Sequence, residues 1–144
     1  MSMTEKEENL QKLYLEFQML DQQIKQLEKQ SAALNNQLME LMVTNQSMDD
    51  MKKTDKKTEI LVPLSHGIYT KAELKYNKSF IVNVGANTAL VKDVDSTKKM
   101  IEDQITKIKK LQENLVNQLQ NQTMKAASLE QEINKIASSI QNNK

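Results

Sequence analysis

The sequence predicts an α+β chain in which two long helices form an antiparallel coiled-coil hairpin and are joined by two β-hairpins. Three observations carry that expectation. Apolar heptads run through both halves of the 144 residues, the two glycines and the single proline all fall between positions 63 and 85, and the same middle stretch changes to short β-branched runs. Only 3% of the residues are aromatic and 27% are charged, so a thick globular core is excluded and the apolar stripes have to be buried by pairing long elements. One domain over 1–144 is expected, with a first helix at 5–50, the hairpins at 59–94 and a second helix at 96–141.

In the first helix Leu10, Phe17, Ile24, Ser31, Leu38 and Asn45 occupy heptad position a, and Leu13, Leu20, Leu27, Leu34, Leu41 and Met48 occupy d. Only Ser31 and Asn45 interrupt the apolar seam. Asp49 to Thr58, DDMKKTDKKT, has no apolar period and reads as a solvated connection. Met39, Met42, Met48 and Met51 lie near that end of the helix, where flexible thioethers line a cavity or fill the junction with the sheet.

The stretches EILVPL, GIYTKAELK, SFIVNVG and ALVKDV are then four strands, separated by turn signals at Ser65-His66-Gly67, Tyr76-Asn77-Lys78 and Gly85-Ala86-Asn87. Alternation puts Ile68, Thr70, Ala72 and Leu74 on one face of the second strand, opposite Tyr69, Lys71, Glu73 and Lys75; Phe80, Val82 and Val84 share a face of the third. Pro63 lacks an amide donor and belongs at an edge or bulge. Two isolated hairpins are marginal in water, so a sheet or barrel shared with other subunits is expected to cover them.

The second helix repeats the seam through Ile101, Ile105, Ile108, Gln112, Leu115, Leu119, Gln122, Ala126, Leu129, Ile133, Ile136 and Ile140, with Asp95 or Ser96 as its N-cap. Antiparallel pairing then joins layers whose residue numbers sum to about 150. Leu10 meets Ile140, Phe17 meets Ile133, Ile24 meets Ala126 and Met48 meets Ile101, while Ser31, Asn45, Gln112 and Gln122 each face an apolar residue. Each arm extends roughly 60 to 70 Å, a thin tentacle with both chain ends at its tip. Mid-arm seam residues serve packing; beyond Leu10 and Ile140 the seam is incomplete, and fraying there exposes apolar surface.

Several function classes are disfavoured by composition. The formal charge is +1 and every cation is lysine, which leaves no guanidinium fork for a nucleic-acid partner. Cysteine is absent, in keeping with a reducing compartment. MSMTEKEENL has neither the cationic start nor the apolar run of a signal peptide, so a soluble, cytoplasmic protein is expected. Catalysis has little material. His66, the only histidine, falls in a glycine-containing turn; Gly85-Ala86-Asn87-Thr88 lacks P-loop spacing; and Asp49 and Asp50 lie beside lysines, unlike a metal site. No enzyme, cofactor or metal is expected.

EILVPLSHGIYTKAEL at 59–74 and FIVNVGANTALVKDVD at 80–95, between two coiled-coil helices of similar length, resemble the α class of the prefoldin family. The resembling features are the Val-Pro-Leu strand, the Gly turn with a Lys-containing strand, the Val-Gly strand end and the Val-x-Lys strand entering the second helix; two hairpins rather than one mark the α class. The resemblance implies a hetero-hexamer with two α and four β subunits, built on a double β-barrel platform. It also implies an ATP-independent holding co-chaperone that binds unfolded client proteins with its coiled-coil tips, prevents aggregation and delivers clients to a group II chaperonin. Carried over by position, the assembly residues are Ile60, Val62, Leu64, Ile68, Leu74, Phe80, Val82, Val84 and Val91, and the client-facing ones are Leu10, Leu13, Ile136 and Ile140. A structural coiled-coil scaffold or tether without client binding is the alternative, but it has no need of the four-strand insert.

Overall fold

A computed structural model describes residues 2–54, 56–75 and 78–143. Its elements run α1 (Met3–Lys53), β1 (Glu59–Ser65), β2 (Ile68–Glu73), β3 (Ser79–Gly85), β4 (Thr88–Asp93) and α2 (Val94–Asn142). They make up two compact units, one of residues 1–36 with 109–144 and one of residues 37–108.

In the first unit α1 begins at a capping box. The Glu5 amide donates to Ser2 Oγ at 3.2 Å and the Ser2 amide donates to Glu5 Oε2 at 3.1 Å, which satisfies two amides of the first turn reciprocally. Leu13, Leu20 and Ile133 are buried, and the other seam positions of this unit are half-buried, including Ser31, Gln112 and Gln122. Lys6 Nζ donates to Ser139 Oγ at 2.7 Å, joining the start of α1 to the end of α2 as antiparallel pairing requires. Leu20 and Leu129 flank one shared groove, and Leu27 and Gln122 flank the next, in agreement with layers that sum to about 150.

The second unit holds the rest of both helices and both hairpins. Here Ile101 is buried, while Leu38, Leu41, Asn45, Met48, Ile105 and Ile108 are half-buried. Lys98 Nζ donates to Asp49 Oδ1 and ties the two helices together. Two sequence expectations are corrected in this unit. Asp49 to Lys53 is the last turn of α1 rather than solvated connection, because Asp49 is paired with Lys98 and Thr54 Oγ1 donates to the Asp50 carbonyl. Asp93, not Asp95 or Ser96, caps α2: its Oδ1 accepts from the Ser96 amide at 2.7 Å, and Thr97 Oγ1 donates to its carbonyl. The cap and the last residue of β4 are therefore one residue, which explains why the helix begins immediately after the strand.

Each hairpin is its own two-stranded antiparallel sheet, β1 with β2 and β3 with β4. Both close through two-residue loops whose central residues have positive φ, His66 and Gly67 in the first and Ala86 and Asn87 in the second, the handedness that matches strand twist. Both also shift register one residue before the loop, between Pro63 and Ser65 and between Asn83 and Gly85. Pro63 thus sits beside the expected bulge. Backbone hydrogen bonds between Lys57 and Leu74 and between Leu74 and Thr58 prolong the first ladder, and Leu74 is buried. The expected turn at Tyr76-Asn77 lies outside the described residues.

Candidate functional site

The hairpins expose apolar side chains on both faces, which ordinary half-buried strands do not. In β3 and β4, Phe80 lies opposite Lys92 and Val82 opposite Leu90 on one face, while Ile81 lies opposite Val91 on the other. Ile81 is 80% exposed and Val91 73%, so this directly opposed pair forms an uncovered apolar couple. In β1 and β2, Ile60, Val62, Ile68 and Ala72 share one face, and Leu61 and Tyr69 stand exposed on the other beside Pro63.

The sequence-derived assembly residues therefore divide. Leu64, Ile68, Val84 and Val91 are exposed, Val62 is at the edge of exposure, Ile60, Phe80 and Val82 are half-buried, and Leu74 is buried within the chain. Val91 belongs with Ile81 on the face away from Phe80 and Val82, a partner the alternation did not single out. Strand parity alone would have put Ile81 on the face opposite Phe80, where it breaks an otherwise polar row; that Val91 lies across from it depends on the register of the two strands.

Opposite charge is used sparingly on the same surface. Glu59 and Glu73 are directly opposed, a repulsive pairing, and Lys71 Nζ stands 3.8 Å from Glu59 Oε1 on the neighbouring strand to offset it. Beneath the hairpins' exit into α2, the Ser96 amide and hydroxyl hold the Asp93 carboxyl below its ordinary value. The Lys98 ammonium does the same for Asp49, whose carboxylate in turn raises Lys98.

In the first unit, Leu10, Ile136 and Ile140 are half-buried and Leu13 is only 9% exposed, all committed to the seam. The exposed apolar side chains are instead Tyr14, Leu15 and Met19 on α1 and Leu111, Val116 and Met124 on α2. They fall outside the a and d positions, so a heptad reading passes over them; their off-seam placement was the available signal. A further stripe, Met39, Met42 and Val43, is exposed on α1 in the second unit, whereas Met48 and Met51 are half-buried. The methionines thus serve both as seam filler and as free surface.

Two long heptad helices joined by two bulged hairpins are a specific combination, and residues 20–139 match the family model described as Prefoldin subunit. The chain belongs to the prefoldin family. Prefoldins are a chaperone family and not an enzyme family. Curated relatives agree: prefoldin subunit alpha of Methanococcus vannielii is 26% identical over 134 residues, covering 93% of this chain and 90% of the relative. Prefoldin subunit alpha of Methanococcus maripaludis strain C7 is 33% identical over 106 residues, covering 74% of this chain and 69% of the relative. The prefoldin fold itself is matched by a cryo-EM structure of filamentous PFD from Methanocaldococcus jannaschii, with a TM-score of 0.71 at 19% identity over 78% of this chain and 93% of that one. Among the described residues no helix is long and apolar enough to cross a membrane, and no group of acidic, histidine or cysteine side chains could hold a metal ion.

Proposed function

We propose that residues 1–144 act as one prefoldin-like domain, the α-type subunit of a cytoplasmic hetero-hexamer with two α and four β chains. The observation that carries this reading is the apolar surface on both faces of both hairpins, typified by the Ile81 and Val91 pair. A two-stranded ribbon with two apolar faces and two open edges gains stability only when further strands and a second layer cover it. β subunits supply that cover through Ile60, Val62, Leu64, Ile68, Phe80, Val82, Val84 and Val91, while Leu74, buried within the chain, anchors the first hairpin.

The assembled complex holds non-native polypeptides without nucleotide and passes them to a group II chaperonin. Leu10, Leu13, Ile136 and Ile140 take part as the helix ends fray, and several weak apolar sites acting together give avidity for chains that expose apolar surface at many points. Selectivity against native proteins follows, since they seldom offer such surface.

The test is to co-express the chain with a one-hairpin β partner, establish the mass of the complex, and follow light scattering as a denatured reporter protein is diluted into it without nucleotide. A complex of hexamer mass that suppresses scattering is the expected result. A complex that assembles yet leaves aggregation unchanged would mark the chain as a scaffold and end the holding reading.

A further inference from the structure

The two hairpins are built on one plan. Every pairing of the first recurs in the second with twenty added to both residue numbers: Ile60 with Ala72 becomes Phe80 with Lys92, and Val62 with Thr70 becomes Val82 with Leu90. The register shift between Pro63 and Ser65 likewise becomes the shift between Asn83 and Gly85. The residue that follows the second strand is buried in both, Leu74 in one and Val94 in the other. Two ribbons of identical register can be compared position by position, and the comparison isolates a difference of charge. The face of Ile60, Val62, Thr70 and Ala72 is uncharged, whereas the equivalent face of Phe80, Val82, Leu90 and Lys92 carries an ammonium where the first hairpin has alanine.

That ammonium is not answered within the chain. Lys25, Lys52, Lys71 and Lys98 each stand beside a carboxylate, but Lys92 Nζ has neither an ion pair nor a hydrogen bond among the described residues. Lys71 shows what is missing: it lies on the other face of its own hairpin and meets Glu59, whose equivalent in the second hairpin is Ser79. Asp93, next along the strand from Lys92, belongs to the opposite face with Ser79, and its Oδ1 already accepts from the Ser96 amide. Lys92 is half-buried even in the isolated chain, directly across from Phe80.

We infer that the second hairpin docks a different chain that brings an aspartate or glutamate carboxylate against Lys92, while the equivalent face of the first hairpin takes an uncharged surface. The inference rests on the assembly reading above and specifies the chemistry of the partner. Once a partner covers Phe80, Val82 and Leu90, the ammonium beside them loses water, and a desolvated charge is tolerated only when an opposite charge and hydrogen bonds replace that water. A second copy of this chain cannot supply the charge from the equivalent faces. Its first hairpin offers none there, and its second adds another lysine, which repels the first. Lys92 thus attracts one partner and rejects self-pairing, and it distinguishes two ribbons whose backbones are otherwise alike.

The experiment uses the full complex with its one-hairpin β partner and reads its dissociation constant by sedimentation over a dilution series. The variants are K92E, K92M and the exchange A72K/K92A, which keeps the net charge but moves the ammonium to the first hairpin. Both positions are partly exposed in the isolated chain, so helical circular dichroism should match the parent. The expected result is about a hundredfold weaker complex for K92E and for the exchange, and about a tenfold weaker one for K92M, which keeps the unbranched stem. Changing the partner's hairpin carboxylates to amides one at a time should find one whose loss weakens the parent complex but not that of K92M. Lysine in place of that same carboxylate should restore K92E. Parental affinity in K92E or in the exchange variant would overturn the inference while leaving the assembly reading intact, as would the absence of any partner carboxylate coupled to Lys92. Failure of the parent chain to form a complex with a β partner at all would remove the assembly reading, and the inference with it.

Discussion

The two units treat apolar residues in opposite ways. In residues 1–36 and 109–144, Leu13, Leu20 and Ile133 are buried by pairing within the chain, and the remaining seam is half-buried with them. In the hairpins of residues 37–108, Leu61, Leu64, Ile68, Ile81 and Val91 are exposed although they belong to strands with complete ladders. A helix pair can close its own seam because each stripe finds its complement one helix diameter away. A two-stranded ribbon cannot close, since it has two faces and two edges and nothing in this sequence to lay over them. The comparison teaches that hydrogen bonding shapes the hairpins locally, whereas burial of their side chains is deferred to assembly.

The largest effect should come from breaking the deferred burial. I81D/V91D is expected to leave the helices folded and abolish the complex, so that the chain elutes alone while its helical circular dichroism persists. A variant that still assembles at parental mass would show that this face is not covered by a partner. Breaking the internal burial should cost less. Leu20→Ala removes most of a seam side chain and is expected to destabilise the chain by about 2 kcal/mol in denaturant unfolding, with assembly retained at low temperature.

A third substitution sharpens the comparison from the other direction. Asn45 occupies a seam position and its Oδ1 is buried without a donor among the described residues, so Asn45→Leu should stabilise the isolated chain by about 1 kcal/mol. A lower unfolding midpoint would show that a bridging water already satisfies the amide. Smaller still is the cap of α2: Asp93→Ala should lower the thermal midpoint by about 2 °C through loss of the bond to the Ser96 amide.

The Asp49 and Lys98 pair gives the smallest effect and the one with a defined pH window. Asp49 is depressed below 3.8, first by its hydrogen bond to Lys98, so its contribution is complete above 3.8 and is lost as pH falls through the depressed value. Lys98 is raised above 10.5 by the same bond, so its contribution is complete below 10.5 and is lost as pH rises through the raised value. The midpoint difference between the parent and D49N should therefore be constant from pH 5 to 9 and shrink at both extremes. Both side chains retain solvent access, which keeps the effect small at any pH.

Much of this architecture was legible in the residues. The twelve α1 seam positions are all buried or half-buried, Pro63 does flank a bulge, and the two glycine-bearing turns do close hairpins. The capping box at Ser2 and Glu5 was equally visible as an S-x-x-E signature, yet a reading that began at Leu10 passed over it. The end of α1 was not legible. DDMKKTDKKT has no apolar period, yet its first residues continue the helix, and there Asp49 meets Lys98, a residue 49 positions away.

The sequence by itself determined where the bodies of the two helices lie, which glycine-bearing turns close the hairpins and which residues make up each helix's seam. These depend on periodicity and on neighbours a few residues apart, so local sterics and hydrophobic spacing are enough to specify them. Only the tertiary structure decided that Val91 is paired with Ile81 away from Phe80 and that the glutamines of two distant segments line one groove. Each depends on strand register or on the pairing of helices across most of the chain. Such pairings are set by the sum of many weak contacts and leave no mark on any single stretch of residues.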